Sequence, residues 1–108
     1  MPIRTGASCD RFVGTVIHAS GYDKKITVNH DSMKSRMKKT TSIWKKVKTA
    51  KRGDICQKFF GNGGAHIKIY LGNGKIAEAS SGIESGDKRF GGVTSGNCKG
   101  YDIYRAVK

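Results

Sequence analysis

The sequence predicts an α+β fold, with N-terminal helices packed on a small antiparallel sheet in a single domain over residues 1–108. Three observations predict it. Apolar residues near the N-terminus recur at helical spacing, as in Phe12, Val13, Val16 and Ile17. From Ser42 onward the apolar residues alternate or form short runs, the mark of strands. Two of those runs are joined by Gly72-Asn73-Gly74, a strong hairpin turn. Helical and strand patterns occupy separate stretches, which argues against alternating βαβ units. A chain of 108 residues supports one modest core.

The first helix is expected over residues 8–20. Ser8 can cap it, Asp10 sits in the first turn where the helix dipole favours negative charge, and Gly21 is a C-terminal stop. A second, shorter helix is expected over residues 31–39, capped at Asp31, with Met33 and Met37 four apart and a polar face that is almost wholly basic. Residues 43–47 read as a short edge strand or an irregular arm, and Gly53-Asp54 then punctuates the chain. Residues 55–60 form a strand and 61–64 a glycine-rich turn. Residues 66–71 alternate as a strand with one buried face, and residues 75–80 return after the hairpin turn. Residues 80–92 read as a loop rich in glycine and serine, and residues 101–106 close the sheet.

The net charge is +13, and nine lysines and arginines fall between Lys34 and Arg52 with no acidic residue among them. Such a surface attracts polyanions: nucleic acid, wall polymer or acidic lipid. No apolar run approaches the roughly 20 residues needed to span a bilayer. The N-terminus lacks the apolar centre of a signal peptide, so export would need another route or an upstream segment. Three cysteines, Cys9, Cys56 and Cys98, leave at least one thiol unpaired. Cys56 reads as a buried strand residue. Cys98 lies in a turn-like setting, either as an inert thiol or bridged to Cys56. No four ligands cluster in sequence as a zinc site needs, and no cofactor is implied.

The candidate chemistry lies in Cys9 and His66. A free thiol has a pKa of about 8.5, and a helix N-terminus lowers it by stabilising the thiolate. Unpaired N–H groups at that same helix start can hold an oxyanion. A thiol at a helix start and an imidazole on a strand are the two parts of a cysteine nucleophile and its base. His66 needs a partner to fix its tautomer, and Glu78 on the returning strand is the candidate. Register decides whether it can serve. A three-residue Gly72-Asn73-Gly74 loop pairs Lys68 with Glu78 and leaves His66 and Glu78 diagonal on one face, roughly 7–8 Å apart. A two-residue Asn73-Gly74 loop puts them on opposite faces. The apolar pattern mildly favours the second register, and a bulge satisfies both. His18, mid-helix, and His30, placed just before the Asp31 cap, read as surface or packing residues rather than catalytic ones.

Three segments resemble the NlpC-type cysteine peptidases of bacterial cell walls, a compact papain-like family. They are Ser8-Cys9-Asp10-Arg11-Phe12-Val13, Arg52-Gly53-Asp54-Ile55, and His66-Ile67-Lys68-Ile69-Tyr70-Leu71-Gly72-Asn73-Gly74 running on to Glu78. Their order and spacing match the family across residues 5–106. Ser8 stands where the family usually has Asp, and Asp10-Arg11 where it has Ser-Gly. The family's tyrosine-containing segment before the cysteine has no counterpart in the eight residues here. The resemblance implies a papain-like fold with Cys9 as nucleophile, His66 as base and Glu78 as the orienting residue. It also implies an amide substrate in the peptide stem of peptidoglycan, reached at the cell wall in a housekeeping, phage or antibacterial setting, with the Lys34 to Arg52 face held to an anionic wall polymer. Acyl transfer or deamidation by the same thiol is a related expectation, and a catalytically dead wall-binding relative is another. The rival from a different class is a basic nucleic-acid-binding module, with Trp44, Phe59, Phe60 and Tyr70 stacking bases beside the lysines.

Overall fold

The computed structural model describes residues 9–27, 29–61, 65–78 and 92–107. Two helices, α1 (Cys9–Ser20) and α2 (His30–Lys39), precede six strands: β1 (Trp44–Val47), β2 (Ile55–Phe59), β3 (Ala65–Gly72), β4 (Lys75–Glu78), β5 (Gly92–Ser95) and β6 (Asp102–Ala106). The strands form one antiparallel sheet in the order β1-β6-β2-β3-β4-β5. The chain is α+β, with helices first and sheet after.

Both helices lie on one face of the sheet. Val13 and Ile17 of α1 and Met33 and Met37 of α2 meet Trp44, Ile55, Ile67, Ile69 and Tyr104 in the main core. Strand residues alternate between faces, so β3 sends Ile67 and Ile69 to this core. A second, smaller cluster gathers Cys56, Cys98 and Ile103 with Tyr70 and Tyr101 against them. Cys56 and Cys98 form a disulfide there, and Cys9 is the one free cysteine. Of the two readings open for Cys98, the bridge holds. β2 carries Cys56 toward the second cluster and Gln57, the next residue, toward the helices.

A buried carboxylate ties the helical layer to the sheet. Asp23 accepts from Arg36 Nε at 2.8 Å, Arg36 Nη2 at 2.9 Å and Trp44 Nε1 at 2.9 Å. Arg36 foremost, with Trp44, holds the Asp23 carboxyl down at about 2 against the opposing cost of burial. A second buried carboxylate, Asp54 just before β2, accepts from Arg105 Nε at 2.9 Å and Nη2 at 2.8 Å and ties that turn to β6.

Several expectations are corrected. α2 starts at His30, not after a cap at Asp31: the Asn29 side chain accepts from the Ser32 N–H at 3.1 Å, so Asn29 is the cap and His30 the first helical residue. β5 was not expected; Val93, its one large apolar residue, is exposed, so the edge strand carries no buried alternation to read. Trp44 is fully buried with its indole N–H spent on Asp23, so it presents no face to a nucleic-acid base. The Ser8 cap, most of the 61–64 turn, and the 80–92 loop apart from Gly92 lie outside the described residues.

Candidate active site

The hairpin of β3 and β4 sets the first part of the site. Asn73 (φ 52°) and Gly74 (φ 72°) form a two-residue turn in the left-handed region, which pairs Gly72 with Lys75. A bulge at Leu71 then shifts the ladder, so that Tyr70 pairs with Ile76 and Ile69 with Ala77. The turn is that of the two-residue loop and the body has the register of the three-residue loop. His66 and Glu78 are therefore diagonal neighbours on one face, and His66 Nε2 lies 2.5 Å from Glu78 Oε1. With Nε2–H donating to the carboxylate, Nδ1 is left to take a proton.

Cys9 opens α1 and is half-buried. His30 opens α2, and its Nε2 lies 3.3 Å from Cys9 Sγ. Two helix N-termini thus converge beside one sulfur, each favouring negative charge there. Burial alone would push the Cys9 thiol up. Hydrogen bonding from His30, then from His66, then from the Ile67 backbone N–H outweighs it and brings the thiol down to about 6. The sulfur in turn raises both imidazoles: it is the largest influence on His30 and on His66, and Glu78 adds to the rise of His66.

The structure brings Cys9, His66 and Glu78 together, and adds two residues that sequence reasoning set aside or did not consider. His30 is the sulfur's direct neighbour. Behind it, Gln57 Nε2 lies 3.4 Å from His30 Nδ1 and donates to the His30 carbonyl at 3.1 Å. Gln57 is buried, and its Oε1 has no hydrogen-bond partner among the described residues. One sequence signal pointed to His30: Asn29 is as good a helix cap as Asp31, and capping at Asn29 puts His30 in the first turn. Nothing local marks Gln57. His18 is engaged elsewhere, with the Ile26 carbonyl.

Aromatic rings and lysines rim the site. Phe59 meets the His30 ring edge-on at 6.1 Å, and Tyr101 meets the His66 ring edge-on at 6.4 Å. Lys34 Nζ lies 4.8 Å above Phe59, and Lys68 Nζ 4.2 Å above Tyr101. The basic run continues from Lys34 into a groove of about 640 Å³ lined by Lys38, Lys45 and Lys46 along α2 and β1. Among the described residues no three His, Cys, Asp or Glu side chains are grouped to hold a metal ion, and no helix is long and apolar enough to cross a membrane. In comparisons with known proteins, no family profile, no curated protein and no solved structure matches the chain.

Proposed function

We propose that this protein is a papain-like thiol hydrolase that cleaves amide bonds in the peptide stem of bacterial peptidoglycan. The observation that carries the reading is a helix-opening thiol, lowered to about 6, beside an imidazole locked to a carboxylate at 2.5 Å. Nucleophilic thiol catalysis requires that combination. The Cys9 thiolate adds to the carbonyl carbon, and protonated His66 passes its proton to the departing amine as the C–N bond breaks. His66 then takes a proton from water, which attacks the thioester and regenerates the thiolate. Glu78 stabilises the imidazolium in both halves.

The substrate class rests on the resemblance of the Cys9, Gly53-Asp54 and His66 segments to NlpC-type peptidases, and the basic groove suits an enzyme held on an anionic wall. The Cys56–Cys98 bridge fits an oxidising setting outside the cytosol. The nucleic-acid reading is weaker by one stacking residue, Trp44, which is buried. The test is incubation of purified muropeptides with the wild-type protein and with Cys9→Ala, followed by chromatography and mass spectrometry. New amine and carboxylate termini are expected with the wild type alone. Intact muropeptides in both incubations would overturn the assignment.

A further inference from the structure

Gln57 is the least explained residue of the site. It is about 1 % exposed, lies on the central strand β2, and spends its amide N–H groups on the carbonyl and ring of a single histidine. An amide N–H directed at Nδ1 makes that nitrogen an acceptor, which puts the ring proton on Nε2. His30 Nε2 is the atom 3.3 Å from Cys9 Sγ. The His30 ring is therefore presented to the sulfur as a neutral donor. The other ring is set up in the opposite sense, because His66 donates from Nε2 to a carboxylate, which favours its charged form.

We propose that the two imidazoles divide the work: His66 carries the proton, while His30 stays neutral and donates from Nε2–H, first to the Cys9 thiolate and then to the carbonyl oxygen as the sulfur attacks. The inference rests on the thiol-hydrolase reading and gives that site its oxyanion donor. As the S–C bond forms, the carbonyl π electrons move onto oxygen and the sulfur loses its negative charge. The donor that held the thiolate is then beside the new anion, since the oxygen is bonded to the carbon that the sulfur has just reached. When the adduct collapses, the C–N bond breaks, the amine takes its proton from His66, and His30 keeps its own. Water repeats the sequence on the thioester.

The surroundings favour this division. The groups facing His30 are Cys9 and Asp10 from α1, Gln57 and Phe59 from β2, and His66 from β3, with Lys34 of α2 above Phe59. Cys9 foremost, with Asp10, raises His30 on balance against burial and a charged His66, and the Gln57 contact opposes that rise. A proton on His30 would set Nδ1–H against the Gln57 amide N–H, whereas a proton on His66 is met by Glu78. One proton shared between two rings goes to His66.

The experiment uses 4-nitrophenyl acetate, an activated ester that reports acylation of Cys9 whether or not the wall is the substrate. His30→Ala is expected to lower the acylation rate by roughly 10²–10³-fold, the effect of losing one oxyanion donor. His30→Gln places an N–H near the position of Nε2 but cannot carry a proton, and it is expected to recover to within about tenfold of the wild type. Nitrogen-15 spectra of the wild type at pH 7 should show His30 as the neutral Nε2–H tautomer, a readout that needs no variant. A charged His30 in those spectra, acylation by His30→Ala close to wild type, or His30→Gln as slow as His30→Ala would each overturn the inference. Wild type that cleaves muropeptides while His30→Ala acylates normally sinks the inference alone. Wild type inert to both ester and muropeptide sinks the hydrolase reading and the inference with it.

Discussion

Cys9 owes its lowered pKa to its neighbours rather than to its position alone. Its partial burial opposes ionisation, and only the two imidazoles and the Ile67 N–H reverse that. The pH dependence follows from the sign of the shift. Above about 6 the thiol is ionised, so alkylation of Cys9 by iodoacetamide should be at its plateau near neutrality and fall by half near that value. Glu78→Gln removes the charge that favours the His66 imidazolium, so the His66 pKa falls. The thiolate loses part of its counter-charge, so the Cys9 midpoint moves up toward that of an ordinary thiol. Turnover should drop roughly tenfold to a hundredfold. Measuring the alkylation rate across pH for both proteins checks this; an unchanged midpoint would count against Glu78 as a partner. Cys9, His66 and Glu78 were legible because each sits in a local pattern: a helix start, a strand start and a hairpin return. Gln57 was not legible, because a polar residue in a buried strand gains meaning only when a helix from elsewhere in the chain settles on it.

The helix starts matter more than their length suggests. α2 is short, and its first residue is His30, so the precision of the site depends on how well that end is fastened. Asn29 fastens it through the Ser32 N–H at 3.1 Å. Asn29→Ala should cost about 1 kcal/mol of stability, seen as a lower midpoint in urea, and should slow Cys9 alkylation as the His30 ring loosens. Asn29→Ser, which restores a cap, should recover both. Loss of stability with unaltered alkylation would show that the α2 start does not govern the sulfur. At this scale periodicity carried most of the fold: Val13 and Ile17 of α1 with Phe12 against them, the two methionines of α2, and Ile67 and Ile69 of β3 meet the core as their spacing implies, while Val16 of the expected α1 stripe is exposed. The β3–β4 hairpin needed the bulge to satisfy both its turn and its face, and the competing pulls were visible in the sequence as two registers. β5 gave no such signal, since an exposed edge strand has no buried face to impose a pattern.

For the molecule as a whole, the main core sits under the helices and the back of the sheet is held by the Cys56–Cys98 bridge, which spans 42 residues of chain. Closing a loop of that size restricts the unfolded chain by about 4 kcal/mol in the loop-entropy account. Reduction in a Cys9→Ala background, which prevents exchange with the free thiol, should lower the urea midpoint by a corresponding amount. Thermal and urea unfolding with and without reductant measure it; identical midpoints would mean that the second cluster holds without the bridge. The charge of +13 was plain from composition. Its arrangement was not, because which lysines share a groove and which sit above rings at the site is decided by how α2 lies against β1.

The sheet is also a partition between two kinds of sulfur. One side holds an oxidised pair, and the other holds a free, half-buried thiol. Cys56 and Gln57 are consecutive residues pointing to opposite sides, one into the bridge and the other toward the histidine that attends Cys9. A chain still unfolded offers three ways to join its cysteines, and two of them consume Cys9. The assembled sheet allows only the first pairing, because it sets Cys56 beside Cys98 and keeps Cys9 on its other side.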